Sequence, residues 1–231
     1  MNVFCFPYAG GSSSAFSKWK SGRKDIKYIP VELTGRGNRH QEAFYKDMSS
    51  AVIDLYEAIK DRLNEDEYAF YGHSMGSLII YELTHYIVDK GHSPPAHLFL
   101  SGKEAPNRKS NSNNVTDLPD ISFKLKMLQL GGIPNEVFNN KLLSDIFLPI
   151  LKSDLKIIEK YIYKEHKNML TSDFTVFFGE YDLIVNGEDV QDWKLHTTGN
   201  CNYISFEEGH FFINEKRNEI ISIINSTLLK D

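Results

Sequence analysis

The chain has 231 residues, of which 41% are apolar and 13% aromatic, so it can bury the core of one large globular domain. Its 26 basic and 31 acidic residues give a net charge of −5, and no dense run of Lys and Arg is present to follow a phosphate backbone. These properties exclude a disordered chain and argue against a nucleic-acid partner. Cys5 and Cys201 lie far apart without C-x-x-C or Cys/His ligand spacing, which predicts structural thiols and no zinc site.

The sequence also predicts the cellular location of the protein. Its first residues form a short apolar run that lacks the basic start and long apolar core of a signal peptide. No apolar run approaches the roughly 20 residues that a membrane-spanning helix needs. We therefore expect a cytoplasmic protein with no membrane span.

Short apolar, β-rich runs recur along the chain. They predict strands at residues 3–6, 28–33, 68–71, 97–100, 174–178 and 203–206. Several are continuously apolar, which is typical of strands buried on both faces of a parallel sheet. Helical periodicity at 49–63, 77–88 and 214–229 alternates with these strands. The pattern predicts an α/β fold, a mostly parallel doubly wound sheet whose ligands bind beyond the carboxyl ends of the strands.

One segment breaks this alternation. The polar run 107–114 predicts a solvated hinge, and helical patterns follow at 121–130, 135–143 and 144–163, with a turn at 131–134 and an interruption at Pro149. These helices carry more apolar residues than a free-standing surface pair needs. We predict that residues 107–170 form a helical lid, called the lid segment below, on a core of 1–106 and 171–231. An ordinary helical subdomain packed on the core is the alternative.

The pentapeptide Gly72-His73-Ser74-Met75-Gly76 lies between the third predicted strand and a predicted helix. Glycines at both second neighbours of a serine suit a strained elbow that exposes its hydroxyl, and the strand-to-helix context is what the G-x-S-x-G motif requires. A serine hydroxyl is a poor nucleophile near neutral pH unless a base takes its proton and a third group orients that base. We therefore predict Ser74 as the nucleophile, with a histidine and an acid after it in the chain.

Asp182 follows the strand at 174–178, and His210 follows the strand at 203–206. The order serine, acid, histidine is that of α/β-hydrolases, and both residues fall on loops at the carboxyl ends of strands. His73 adjoins Ser74, but neighbours on a tight elbow point apart, so His210 is the predicted base. Asp182 is the predicted acid; its rivals are Glu180, Asp189 and Asp192.

The oxyanion of a tetrahedral intermediate needs two preorganised donors. The residue after the nucleophile supplies one backbone N–H, here that of Met75. The loop after the first strand, Phe6-Pro7-Tyr8-Ala9-Gly10-Gly11, has paired glycines that let its backbone approach a ligand. We predict the Tyr8 N–H as the second donor, with Ala9 as the near alternative; a plain β–α turn is the other interpretation.

Six motifs spread over nearly the whole chain resemble those of type II thioesterases, which are discrete hydrolases encoded with nonribosomal peptide and polyketide synthases. They are Phe4-Cys5-Phe6-Pro7-Tyr8-Ala9-Gly10-Gly11, Glu32-Leu33-Thr34-Gly35-Arg36-Gly37-Asn38-Arg39, Gly72-His73-Ser74-Met75-Gly76, Leu148-Pro149-Ile150-Leu151-Lys152-Ser153-Asp154, Gly179-Glu180-Tyr181-Asp182 and Gly209-His210-Phe211-Phe212. Two departures concern loop and lid details. Thr34 stands where the family usually has proline, and Lys152-Ser153-Asp154 stands where Arg-Ala-Asp is common.

The resemblance implies an α/β-hydrolase with a helical lid that cleaves acyl or aminoacyl thioesters from the phosphopantetheine arm of carrier proteins, either to clear misprimed or stalled carriers or to release intermediates. At the positions that match the family's motifs, the resemblance implies that Ser74 is the nucleophile, His210 the base and Asp182 the acid that orients the base. No metal or diffusible cofactor is expected, because the arm belongs to the substrate. The expected partners are acyl or peptidyl carrier domains, docking near lysines 124, 126 or 152.

Two other functions remain open at this point. A carboxylesterase or acyltransferase acting on small-molecule esters would keep the same three residues. A non-catalytic carrier-binding module would keep only the fold.

Overall fold

Six parallel strands form one sheet in the computed structural model, which describes residues 1–108, 114–131 and 135–229. The strands are β1 (Asn2–Phe6), β2 (Lys27–Pro30), β3 (Tyr68–His73), β4 (His97–Ser101), β5 (Asp173–Gly179) and β6 (Cys201–Phe206). Their order across the sheet is β2-β1-β3-β4-β5-β6, and every neighbouring pair is parallel. The predicted α/β class with a mostly parallel sheet is confirmed.

β2 is shorter than predicted and ends at Pro30 instead of residue 33. The ladder with β1 closes when Val31 N–H donates to the carbonyl of Cys5 (2.9 Å). The next bond would need an N–H from Pro7, which has none, so the pairing stops.

Helices cover both faces of the sheet, which is why β1, β3 and β4 are buried along their whole length. Side chains that alternate along these strands divide into two apolar clusters. One packs against α1 (Met48–Ile59) and α2 (Met75–Asp89), and the other against α7 (Arg217–Leu228). The predicted helix at 214–229 is divided, since α6 (Phe212–Glu215) precedes α7. The predicted helix at 49–63 ends at Ile59 and continues as a 3₁₀ turn to Arg62.

The lid segment contains α3 (Asp120–Leu130), α4 (Asn135–Asn139) and α5 (Lys141–Lys160). The predicted helix at 135–143 is wrong in its extent, because Asn140 caps α5 by accepting from the N–H groups of Leu142 (3.0 Å) and Leu143 (3.3 Å). The predicted interruption at Pro149 is also wrong, because α5 runs through it. Pro149 and Asp145 are exposed, so water can solvate the carbonyl that the proline leaves unpaired.

Two parts of the lid segment fall outside the described residues: 109–113 of the predicted hinge and 132–134 of the predicted turn. The division of the chain into core and lid stays a prediction. The described parts of the lid segment nevertheless pack on the core in two places. Ile157 joins the cluster under α2, and Phe123, Met127 and Leu151 form a smaller cluster with Ala9 of the loop after β1. No helix in the described ranges is long and apolar enough to cross a membrane.

Candidate active site

Ser74 occupies a strained turn between β3 and α2. Its φ is 53° and its ψ is −113°, a left-handed φ that residues other than glycine rarely adopt. A Cβ on Gly72 would lie 2.3 Å from the carbonyl oxygen of Gly76, and a Cβ on Gly76 would lie 2.3 Å from that of Phe6. Both second-neighbour positions therefore admit only glycine, which is the physical reason for the G-x-S-x-G spacing.

The end of β4 holds this turn in place. Ser74 N–H donates to the carbonyl of Ser101 (2.7 Å). The buried hydroxyl of Ser77 lies 2.7 Å from the Gly72 carbonyl and 2.9 Å from the Ser101 carbonyl, and it accepts the Ser101 N–H at 2.8 Å. Sequence reasoning missed Ser77 and Ser101, because no local spacing marks a contact between the start of α2 and the end of β4.

His210 and Asp182 form a buried pair beyond β6 and β5. His210 Nδ1 lies 2.7 Å from Asp182 Oδ2, and the two side chains are 4% and 0% exposed. Asp182 Oδ1 accepts from the N–H groups of Ile184 (2.8 Å) and Val185 (3.1 Å). Because a carboxylate only accepts, it fixes the proton of the neutral ring on Nδ1 and leaves the lone pair on Nε2.

The rival acids are occupied elsewhere. Glu180 accepts from the hydroxyl of Ser205 (2.7 Å). Asp192 pairs with Arg108 at 2.5 Å, and Asp189 lies 3.8 Å from the same guanidinium. Of the four predicted candidates, Asp182 is the acid that the structure brings to His210.

His73 supports the back of the site. Its ring is fully buried, its Nδ1 lies 2.8 Å from Ser101 Oγ, and its centroid is 5.4 Å from that of His210. Burial, and secondly the charge that His210 can carry, lower the pKa of His73 well below the ordinary histidine value. His73 is therefore neutral at physiological pH and packs beside the predicted base, a role that the sequence did not indicate.

The loop after β1 leaves few backbone donors for a ligand. Gly11 N–H donates to the Tyr8 carbonyl (2.8 Å), Gly10 N–H donates to Asp154 Oδ2 (2.8 Å), and Pro7 has no N–H. Among the described residues, the N–H groups of Tyr8 and Ala9 have no acceptor in the protein, and both residues line the cavity.

Met75 is the first residue of α2, where backbone N–H groups have no partner within the helix. A Cβ on the adjacent Gly76 would touch the carbonyl oxygens of Phe6 (2.3 Å) and Pro7 (3.0 Å). The start of α2 thus lies directly against the strand end that leads into Tyr8. The backbone segments of the two predicted oxyanion donors are neighbours.

Ser74 and His210 line one cavity of about 760 Å³ between core and lid segment. Most of its wall is apolar, with side chains from α3, α5 and the loops after β5 and β6: Met127, Phe147, Leu151, Leu155, Ile158, Leu183, Ile184, Val185 and Phe211. A cavity of this size and polarity suits a small organic ligand with an apolar portion.

Two lysines also line the cavity, Lys103 and Lys126. Lys103 is buried and its ammonium donates to Glu104 (2.5 Å), a pair that sequence reasoning missed. Of the three lysines predicted near a docking site, Lys126 alone is among the lining residues. Lys152 instead pairs with Asp120 (2.7 Å) above the ring of Phe123.

Comparisons with known proteins give a family match, relatives and similar solved structures. A family model described as Thioesterase domain matches residues 1–228. Linear gramicidin dehydrogenase LgrE of Brevibacillus parabrevis is 34% identical over 98% of this chain and 87% of its own length. The crystal structure of ClbQ from the colibactin NRPS/PKS pathway superposes with a TM-score of 0.93 at 35% identity, covering 98% of this chain and 96% of that one. The RedJ thioesterase from the prodiginine pathway of Streptomyces coelicolor superposes with a TM-score of 0.90 at 31% identity, covering 97% and 84%.

Proposed function

We propose that this chain, which belongs to the thioesterase domain family, hydrolyses acyl or aminoacyl thioesters on the phosphopantetheine arm of carrier proteins in nonribosomal peptide or polyketide biosynthesis. One observation carries the proposal: a strained serine faces a mostly apolar cavity whose wall also holds a histidine bonded to a buried aspartate. The relatives support the pathway, since ClbQ comes from an NRPS/PKS pathway and RedJ is a thioesterase of prodiginine biosynthesis.

The mechanism follows from the positions of the side chains. Asp182 keeps the proton of the His210 ring on Nδ1, so Nε2 can take the proton of the Ser74 hydroxyl. Ser74 Oγ attacks the thioester carbonyl, and the N–H groups of Met75 and of Tyr8 or Ala9 stabilise the oxyanion. The thiol of the arm leaves with the proton from His210. Water that His210 deprotonates then releases the acyl group and restores Ser74.

The cavity wall accounts for the acyl portion of the substrate. Apolar side chains from α3 and α5 form part of the cavity wall. We expect modest selectivity for chain length, because one methylene in an apolar pocket discriminates by only about 1–3 kcal/mol. Such tolerance suits an enzyme that clears misprimed or stalled carriers bearing different groups.

A redox function, as in the name of the gramicidin relative, has less support from the residues. The loop after β1 lacks the G-x-G-x-x-G spacing that brings a pyrophosphate to a helix N-terminus. The elbow at Ser74 and the His210–Asp182 pair are instead the parts that acyl transfer requires.

Intact-mass analysis of loaded carriers tests the proposal. Carrier proteins bearing acetyl, longer acyl or aminoacyl groups are weighed before and after exposure to the enzyme. We expect the wild type to return them to the free thiol and Ser74→Ala to leave them loaded. Asp182→Asn should lower kcat by about 10⁴-fold, because the ring would lose its orienting acceptor.

Two outcomes would support the alternatives instead. Equal kcat/KM for acyl-pantetheine, nitrophenyl esters and acyl-carrier protein would indicate a carboxylesterase that does not recognise the carrier. Carrier binding without release of the acyl group, unchanged in Ser74→Ala, would indicate a non-catalytic carrier-binding module.

A further inference from the structure

A buried ion pair joins the lid segment to the core beside the candidate active site. Arg36, on the loop after β2, donates from Nη1 to Asp154 Oδ2 (2.6 Å) and from Nη2 to Oδ1 (2.7 Å). Asp154 belongs to α5, and the two side chains are 3% and 1% exposed. The geometry is the bidentate one in which guanidinium and carboxylate interact most strongly.

The same pair also binds the backbone of the loop after β1. Asp154 Oδ2 accepts the N–H of Gly10 (2.8 Å), and Arg36 Nη1 donates to the carbonyl of Gly11 (2.9 Å). The pair therefore fixes an N–H and a C=O of consecutive glycines in the turn. Gly10 has φ +78°, so its backbone takes a conformation that few other residues would hold.

The loop after β2 supports the next residues of this turn. Glu32 accepts from the N–H (3.0 Å) and the hydroxyl (2.7 Å) of Ser13. Arg36 is itself positioned by donation from Nε to the Thr34 carbonyl (3.3 Å). Residues 10–13 are thus held from one side by the loop after β2 and from the other by α5.

Neither Arg36 nor Asp154 lines the cavity, so neither would touch a bound acyl group. A buried ion pair is also weak as a source of stability, because desolvation of both charges offsets their attraction, and apolar replacements are often neutral or stabilising. The specific feature of this pair is its hold on the Gly10–Gly11 backbone, directly after the two amides that remain available at the turn, those of Tyr8 and Ala9.

We propose that Arg36 and Asp154 are positioning residues for the oxyanion hole: through Gly10 and Gly11 they set the direction of the Tyr8 and Ala9 N–H groups. Because Asp154 is part of α5, the turn takes this geometry when α5 is packed on the core. The inference takes its substrate, a carrier-bound thioester, from the proposed function. The expected loss of kcat requires only that Ser74 carries out acyl transfer.

The test separates positioning from stability. Each single variant, Arg36→Met or Asp154→Leu, leaves one buried charge unpaired and should unfold more easily than the wild type. The double variant removes both charges, so its urea midpoint should recover toward the wild-type value. Its kcat should nevertheless remain about 10-fold to 100-fold low with KM within about threefold, because oxyanion donors act mainly in the transition state.

Conservative variants provide a second comparison if the double variant does not fold. Asp154→Asn retains an oxygen for the Gly10 N–H and should keep kcat within about fivefold of the wild type, whereas Asp154→Ala should lose about 10-fold to 100-fold. Active sites are counted by the stoichiometric endpoint of labelling with a fluorophosphonate, so that misfolded protein does not lower kcat. Tyr161→Phe is the matched control, since it removes a bond from the end of α5 to Glu82 (2.5 Å) without touching Gly10.

Rates are measured with both nitrophenyl acetate and acyl-carrier protein. Turnover of the ester without turnover of the carrier would end the proposed function and still test the positioning role. The positioning role is overturned if kcat of the double variant recovers together with its stability, if Asp154→Asn and Asp154→Ala lose kcat equally, or if Tyr161→Phe loses as much as they do.

Discussion

Replacing Ser74 by glycine should stabilise the protein while abolishing its hydrolysis. The φ of 53° and ψ of −113° at Ser74 place an L-residue in a sparsely populated region, at a cost of about 1–3 kcal/mol. Glycine adopts such a conformation freely, but it makes the unfolded chain more flexible. The extra conformational entropy lost on folding costs about 0.5–1 kcal/mol. The net gain is about 1 kcal/mol, which raises Tm by about 2–4 °C in a chain of this size.

Ser74→Ala is the matched control, because it also lacks the hydroxyl but retains the Cβ that makes the turn strained. Urea unfolding at constant m-value and thermal unfolding of the three proteins give the comparison. We expect Ser74→Gly to exceed Ser74→Ala in midpoint, with Ser74→Ala close to the wild type. Equal midpoints for the two variants would limit the strain at this residue to the about 0.5–1 kcal/mol that glycine costs, and the net gain derived from the elbow would be refuted.

Three further predictions concern other parts of the molecule. Gly76→Ala would place a Cβ 2.3 Å from the backbone oxygen of Phe6, so it should lower the free energy of unfolding in urea by at least about 1–3 kcal/mol. Gly187→Ala is the control and should lower it less, because its Cβ would meet only a side chain, at 3.3 Å. Burial, and secondly the charge that His166 can carry, lower the pKa of His85 to about 4, so the unfolded chain binds a proton that the folded state does not. The free energy of unfolding should therefore fall as the pH is lowered from about 6.5 to 4, by at most about 1.4 kcal/mol per pH unit. The urea midpoint of His85→Phe should decline less over this range. Phe147→Ala should enlarge the cavity and shift the kcat/KM ratio toward longer acyl chains on carrier proteins; an unchanged ratio would place the acyl chain elsewhere.

Local patterns in the sequence were sufficient for the sheet, most helices and the elbow. Buried strands and amphipathic helices leave a periodic record of which face is apolar, and the glycines around Ser74 record a close backbone approach. The same patterns placed Asp182 and His210 after strands whose carboxyl ends meet at one edge. They favoured Asp182 over its three rivals, but which carboxylate reaches the His210 ring depends on how the loops pack, and the structure brings Asp182 there.

The helix boundaries in the lid segment show where local reasoning fails. Pro149 predicts a break because it removes one backbone bond, but its exposed position lets water replace that bond, and α5 continues. Exposure is a property of the packed chain, so the sequence alone does not reveal it.

The amino-acid sequence by itself predicted the fold class and the thioesterase family, which are confirmed, and it predicted Ser74, Asp182 and His210 as nucleophile, acid and base. Only the tertiary structure decided which groups hold these residues: Ser77 and Ser101 at the elbow, neutral His73 beside His210, and the Arg36–Asp154 pair on the loop after β1. Those contacts join segments far apart in the chain, and the protonation state of His73 depends on its burial. Apolar periodicity records which face of a strand or helix is buried, but it does not record which distant segments meet or how deeply a polar ring is buried.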